Sequence, residues 1–226
     1  YTGGAGVVPT TQNFPKWDQE RISIFDWQPD AVELSPQLLD DSAVNLEQVL
    51  AECIAQILSI DEDDAFLTGT GVGEPEGILT AGITTSNSGS ASDVTYAGMI
   101  DMYTKVPSQY RAGGASRFMM NSTTWGNLLK LNTGTGGVYV FPPNTSPLQF
   151  LTAPIVFHEG MAVCTTAANK PIIHGNFQFY IIAERQGLRI QRLVERFAPN
   201  VGFLPVSRIG GQVVQTDAFR VMTVAA

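Results

Sequence analysis

The glycine-rich run Gly69-Thr70-Gly71-Val72-Gly73 contains the residue types of a phosphate-binding loop. Such loops follow a strand and open a helix, so that the amides at the helix N-terminus face the anion. Here the run comes after a helical pattern, no Walker lysine accompanies it, and Glu74 and Glu76 would repel a phosphate. The sequence therefore favours a structural turn over a nucleotide site.

The acidic run Asp61-Glu62-Asp63-Asp64 has oxygen ligands that calcium prefers. A calcium loop needs glycine at its sixth position and glutamate at its twelfth. Counted from Asp61, these positions hold Phe66 and Val72. We therefore expect the run to be a solvated or subunit-facing end of a helix.

Histidine and cysteine offer little further chemistry. His158 and His174 each lie in a strand pattern, with no cysteine or second histidine at ligand spacing, so both are expected to be ordinary strand residues. Cys53 falls within an apolar helical stripe, where a small buried thiol is expected, and a disulfide with Cys164 is not expected. The sequence predicts no metal and no cofactor.

No compact catalytic motif is visible. A Gly-x-Ser-x-Gly elbow is absent, and Cys164 has no neighbouring base. Carboxylate pairs such as Asp40-Asp41 occur in any acidic chain. The prediction is a protein that is not an enzyme. A cytosolic α+β enzyme using carboxylates stays as an alternative, and a cleft lined by acidic groups with strongly shifted pKa values would favour it.

Composition indicates a folded protein of 226 residues, 44% of them hydrophobic, with a formal net charge of -8. The 13 lysines and arginines are scattered, so the clustered positive charge that nucleic-acid binding requires is missing. No apolar stretch approaches the roughly 20 residues that span a bilayer, so we expect a soluble, intracellular protein with no membrane partner. The start at Tyr1 suggests a processed or trimmed N-terminus.

Hydrophobic periodicity predicts the elements of the first half. Residues 1 to 41 are expected to be extended, because four prolines oppose a helix there. From Asn45, a good N-cap, to Gly69, apolar residues recur at three- and four-residue spacing, which predicts an amphipathic helix of about 22 residues. Its apolar stripe comprises Leu46, Val49, Leu50, Cys53, Ile54, Ile57 and Ile60.

The second half alternates between short helices and strands. Residues 82 to 93 are rich in glycine, serine and threonine and predict a linker at a subdomain boundary. Beyond it we expect an α+β domain. Helices are predicted at 96–106 and 123–131, and strands at 117–120, 138–141, 154–158, 177–182, 187–192, 202–208 and 218–223, with a turn at 194–200.

The stretch from Ala65 to Leu79, with its Phe-Leu-x-Gly-x-Gly-x-Gly loop and Pro-x-Gly-Ile-Leu turn, resembles the signature of tailed-bacteriophage major capsid proteins of the Hong Kong 97-like fold. Further pieces are similar to the family and follow in its order. They are Ser35-Pro36-Gln37-Leu38-Leu39-Asp40-Asp41-Ser42, Phe118-Met119-Met120-Asn121, Gly175-Asn176-Phe177 and the stretch from Tyr180 to Gly187.

The resemblance implies an α+β fold with a peripheral domain, built on a long spine helix and a long β-hairpin, and an axial domain with a mixed sheet and flanking helices. Residues 1–33 would form an N-terminal segment with a shortened or truncated extended loop. The peripheral domain would cover 34–81, the axial domain 82–174, the long hairpin 175–212, and a C-terminal strand returning to the axial domain 213–226.

It also implies a structural head protein of a tailed double-stranded DNA bacteriophage. Copies of the chain would form pentamers and hexamers of an icosahedral or prolate shell that encloses the DNA without sequence-specific binding. The shell would assemble in the host bacterial cytoplasm and become the virion capsid, with portal, scaffold or decoration proteins as further partners. An encapsulin-type nanocompartment of the same fold is the nearest alternative.

Subunit-contact residues follow from the same resemblance. In the short extended loop, Phe14 and Trp17 would anchor a contact, with Lys16 between them. The loop from Gly134 to Thr152 would face the capsomer axis and carries Tyr139 and Phe141. The turn from Val194 to Asn200 would meet neighbouring subunits at threefold positions, where Glu195 and Arg196 would pair across subunits and Phe197 would bury apolar area.

Overall fold

The computed structural model describes residues 21–41, 45–90, 93–111, 114–131 and 148–225. Within these ranges the chain forms five helices and ten strands. In chain order they are β1 (Phe25–Trp27), β2 (Val32–Leu34), α1 (Pro36–Asp41), α2 (Leu46–Thr68), β3 (Thr85–Asn87), α3 (Tyr96–Lys105), α4 (Ser108–Arg111), β4 (Ser116–Met120), α5 (Ser122–Leu129), β5 (Gln149–Phe150), β6 (Ala153–Phe157), β7 (Ile172–Asn176), β8 (Tyr180–Leu193), β9 (Val201–Val213) and β10 (Phe219–Thr223).

A six-stranded mixed sheet has the order β3-β10-β7-β4-β6-β5. β3 runs parallel to β10 and β4 runs parallel to β6, whereas the other neighbours are antiparallel. One face of this sheet packs against α3 and α5 around a core of fully buried side chains, among them Met99, Met102, Phe118, Leu128 and Ile172. The mixed helices and strands confirm the predicted α+β class.

A second, four-stranded sheet is built on β9. β8 pairs along one side of β9, and the short strands β1 and β2 pair with the other side. Helix α2 lies against this sheet, where Ile54 and Leu58 are buried. Arg192 near the end of β8 forms an ion pair with Glu47 in the first turn of α2, at 3.5 Å. The hairpin formed by β8 and β9 therefore runs beside α2, and its tip lies near the N-terminus of that helix.

Helix α2 confirms the predicted bounds. The Asn45 side chain accepts a hydrogen bond from the Gln48 amide at 3.3 Å, and the helix runs for 23 residues before Gly69. The predicted burial of its stripe is only partly right, because a single sheet covers one side of the helix. Val49, Ile57 and Ile60 are 44%, 54% and 62% exposed. Cys53 is exposed as well, so the expectation of a buried thiol was wrong.

Two predictions for the irregular segments were wrong. The 82–93 linker contains β3, because the backbone of Thr85–Asn87 bonds to β10 at the sheet edge and needs no apolar side chains to do so. Residues 1 to 41 are not extended throughout, since α1 begins at Pro36. Proline is tolerated in the first helical turn, where its missing N–H would have no partner.

The hairpin also differs from prediction. The expected strands at 177–182 and 187–192 are one strand, β8, whose register shifts between Glu184 and Gln186 and again before Arg189. Phe177–Phe179 forms a 3-10 turn instead of a strand. The predicted break at residues 183–186 does not occur, because a β-bulge absorbs an extra residue without ending the ladder.

Most of the other predicted elements of the second half are confirmed within one or two residues, namely α3, β4, α5, β6 and β10. β9 begins within one residue of its predicted start but continues five residues beyond the predicted end at 208, to Val213. The predicted strand at 138–141 lies outside the described residues. None of the helices in the described ranges is long and apolar enough to cross a membrane.

Candidate subunit-contact surfaces

The glycine loop after α2 is closed by its own carboxylate. The Thr70 amide and hydroxyl both donate to Glu74 Oε1, at 2.9 Å each. A bound phosphate would need donors such as these, so Glu74 occupies the place that an anion would take. The loop is also fixed to the four-stranded sheet, because the Glu76 amide donates to the Gly211 carbonyl and the Tyr180 hydroxyl donates to the Glu76 carbonyl.

Two glycines of this loop are required by close backbone contacts. A Cβ atom on Gly69 would lie 2.2 Å from the Pro75 carbonyl oxygen, and one on Gly77 would lie 2.6 Å from the Gly69 nitrogen. The crossing of these segments connects α2 to the six-stranded part of the fold. At the outer end of the loop, Val72 is 84% exposed, which is high for an apolar side chain.

The tip of the β8–β9 hairpin presents a cation next to an aromatic ring. Val194, Glu195 and Arg196 are exposed, and the Arg196 guanidinium lies 5.6 Å from the centre of the Phe197 ring. Phe197 is half-buried against Gly202, where a Cβ atom would come within 2.3 Å of the ring. Neither Glu195 nor Arg196 forms an ion pair with another described residue.

The structure describes only part of the predicted contact set. Of those residues it brings together Arg196 and Phe197, with Glu195 beside them on the same turn. The other predicted contact residues lie outside the described ranges, namely Phe14, Lys16, Trp17, Tyr139 and Phe141.

A pocket of about 340 Å³ opens between β1, the C-terminal part of α2 and the glycine loop. Its apolar lining comes from Phe25, Trp27, Ala65, Pro75 and Ile209. Carboxylates also line it, namely Asp26, Asp61, Glu62, Asp64 and Glu74. Sequence reasoning missed this pocket, because β1 reaches it by pairing with β9, some 180 residues away in the chain. The acidic run was the one available signal.

Among the described residues, positively charged side chains neutralise few of the carboxylates that line the pocket. Asp26 pairs with Arg208, but the described residues provide no salt bridge to the four other carboxylates. Trp27 Nε1 donates to Asp61 at 3.2 Å. Burial raises the pKa of Glu62, and the nearby charges of Glu184 and Asp63 raise it further. The pocket thus combines an apolar wall with unbalanced negative charge.

The two histidines have different surroundings. His174 is fully buried in β7 beside the rings of Phe118 and Tyr103, with centroids 4.1 and 5.3 Å away, and its Nδ1 lies 3.2 Å from the Arg117 carbonyl. Burial lowers the pKa of His174 to about 4. His158 lies one residue beyond β6, in a turn rather than a strand. Among the described residues no group of three or more His, Cys, Asp or Glu side chains is placed to hold a metal ion.

The phage capsid family model matches residues 2–224, which is nearly the whole chain. This chain belongs to the phage capsid family. None of the curated protein sequences compared with it matches significantly. Among solved structures, the capsid of a native GTA (gene transfer agent) particle is similar with a TM-score of 0.86 and 27% sequence identity, covering 100% of this chain and 82% of that chain. The capsid of an empty GTA particle gives a TM-score of 0.82, also at 27% identity, covering 99% and 81%.

More distant structures share the fold. The structure from Gordonia phage Cozz has a TM-score of 0.68 at 16% identity, covering 100% of this chain and 79% of that chain. The family match over almost the full length, together with the similarity to GTA capsids, identifies the protein as a major capsid protein with the Hong Kong 97-like fold. The family and its fold indicate a structural role.

Proposed function

We propose that the protein builds the shell of a tailed double-stranded DNA bacteriophage head, as pentamers and hexamers of identical copies, without catalysing a reaction. The observation that carries the proposal is the match of this fold, over the full chain, to the capsids of GTA particles. A gene transfer agent would use a closely related shell. We therefore propose the architecture of the shell and the double-stranded DNA inside it.

The charge of the chain supports a container rather than a DNA-binding surface. Its formal net charge is -8, and helix α2 carries six carboxylates with no lysine or arginine. A wall that repels phosphates leaves packaged DNA free to move during packing and release. We infer assembly in the host bacterial cytoplasm, followed by residence in the virion, with portal, scaffold or decoration proteins as additional partners.

The division into domains follows the same proposal. The four-stranded sheet with α2 would be the peripheral domain, and the six-stranded sheet with α3 and α5 would be the axial domain. The hairpin turn with Glu195, Arg196 and Phe197 would contact neighbouring subunits, as would Phe14, Lys16, Trp17, Tyr139 and Phe141. Repeated contacts between different patches on identical subunits close into rings, which is the geometry that a capsomer needs.

Electron microscopy of the purified protein, with light scattering for mass, tests this function. We expect closed shells hundreds of ångströms across, and particles from infected or induced cells should contain nuclease-protected DNA. Shells filled with protein would instead indicate a nanocompartment. A monomer or dimer at all concentrations tried would contradict the proposal for this chain.

A further inference from the structure

The pocket at the C-terminal end of α2 combines an apolar wall with carboxylates that lack positively charged partners among the described residues. Phe25 and Trp27 give it an aromatic wall, and four of its five carboxylates have no salt bridge to a described residue. Acidic side chains near a helix C-terminus are also unfavourable with respect to the helix dipole. A cation supplied from outside would offset both effects.

The chain offers a group of matching chemistry at the opposite end of the same helix. Arg196 and Phe197 at the hairpin tip place a guanidinium next to an aromatic ring, and Arg196 has no ion-pair partner in the described part. The ion pair between Arg192 and Glu47 fixes the tip near the first turn of α2. A helix rises about 1.5 Å per residue, so Glu47 and Asp61 are separated by roughly 21 Å along the axis. The tip therefore cannot reach the pocket of its own chain.

We propose that the pocket between β1, the end of α2 and the glycine loop is a docking site for a second copy of this chain, which inserts a basic side chain and its neighbouring aromatic ring. Arg196 and Phe197 form the pair that the described surface presents for this contact. In it Arg196 would bind the carboxylates of the pocket, instead of pairing with Glu195 as the family resemblance implies. The proposal rests on the shell function proposed above and names one contact that the shell would use.

Such a contact joins two different patches, so a pair of subunits still has one free pocket, on one copy, and one free tip, on the other. A contact of this heterologous type continues until a ring or shell closes, whereas a two-fold contact would stop at a dimer. The apolar wall would contribute area burial, and the opposite charges would orient the approaching subunits. Although the whole chain is acidic, the exposed Arg196 at its hairpin tip gives a second copy the local positive charge that the pocket lacks.

Charge reversal at the pocket tests the contact. Asp64 lines the pocket, whereas Asp63 is its exposed neighbour on the same helix and does not line it. We expect Asp64→Lys to raise the protein concentration needed for shell assembly at least about tenfold, whereas Asp63→Lys, the matched control, changes it less than about twofold. Circular dichroism and the melting temperature of the unassembled subunits would verify that both variants fold.

A second substitution identifies the inserted group. Combining Asp64→Lys with Arg196→Glu should restore assembly, since every copy then carries the reversed pair. Rescue supports docking of Arg196 in the pocket, and absence of rescue overturns it.

Disulfide trapping shows whether the contact joins two copies. With Cys53 and Cys164 replaced by serine, the double variant Asp64→Cys with Arg196→Cys should yield a ladder of oligomers on a non-reducing denaturing gel. A disulfide confined to the monomer would overturn the proposal, as would equal assembly by the Asp64→Lys and Asp63→Lys variants. If the unaltered protein forms no shells at all, the proposed function fails instead, so the two failures are distinguishable.

Discussion

At the residue scale, His174 makes the stability of this subunit depend on pH. Burial keeps its imidazole neutral, and the positive charge of Arg111 also lowers its pKa, which lies near 4 instead of 6.5. When the pH falls below 6.5, the unfolded chain binds a proton at this residue and the folded chain does not. The contribution of the neutral histidine to stability is therefore complete above about pH 6.5 and is lost progressively towards pH 4. The difference amounts to about 3 kcal/mol.

We expect His174→Phe to remove most of this pH dependence, because phenylalanine retains an aromatic ring beside Phe118 and Tyr103 but does not titrate. Urea unfolding of the unassembled subunit between pH 7 and pH 4.5 measures the effect. His158→Gln is the control, since it leaves the buried imidazole in place, and its free energy of unfolding should fall with pH like that of the unaltered protein. An unchanged pH dependence in His174→Phe would contradict the assignment.

At the element scale, helix α2 is stabilised by an N-cap residue, Asn45, which is not part of the apolar stripe of the helix. Asn45 accepts the hydrogen bond of the Gln48 amide, one of the first-turn donors that have no partner within the helix. Asn45→Ala should lower the free energy of unfolding by about 1 kcal/mol, whereas Asn45→Asp should retain the cap. Chemical denaturation of the two variants checks this prediction, and equal losses in both would show that another group caps the helix.

Hydrophobic periodicity predicted the helices and strands themselves better than it predicted which elements pack against each other. The three- and four-residue spacing in α2 defined the helix, but it did not indicate that a single sheet would leave Val49, Cys53 and Ile57 exposed. Likewise, strand β3 is held by backbone bonds to β10, which the composition of a polar linker does not reveal. The pocket was missed for the same reason, because strand pairing between residues far apart in the chain creates it. The local sequence pattern reflects the conformational preference of each segment. The exposed side of α2, strand β3 and the pocket instead depend on pairing between residues far apart in the chain.

At the scale of the whole molecule, the six-stranded sheet contributes to two cores. Successive residues of β7 and β10 point to opposite faces, so Ile172 and Met222 join the core under α3 and α5, whereas Ile173 and Val221 join the one that contains Leu67 of α2. The second core is thus shared between the end of α2, the start of the hairpin and the sheet. Loss of packing on one face of the sheet should be transmitted to the other face.

The subunit should therefore unfold in one cooperative transition, in spite of its two sheets. Leu128 is fully buried in the core under α5, so Leu128→Ala should lower the free energy of unfolding by about 2–5 kcal/mol. Ile57 lies at an exposed position of α2, so Ile57→Ala should change it by less than about 0.5 kcal/mol.

Trp125 reports on the first core and Trp27 on the four-stranded sheet. Fluorescence of Trp27→Phe and Trp125→Phe versions, each in a Trp17→Phe background, follows the two regions separately. Coincident melting curves that shift together in Leu128→Ala would show one cooperative unit, because the shared core would then couple the two sheets. A shift confined to the Trp125 signal would mean that the sheets unfold independently.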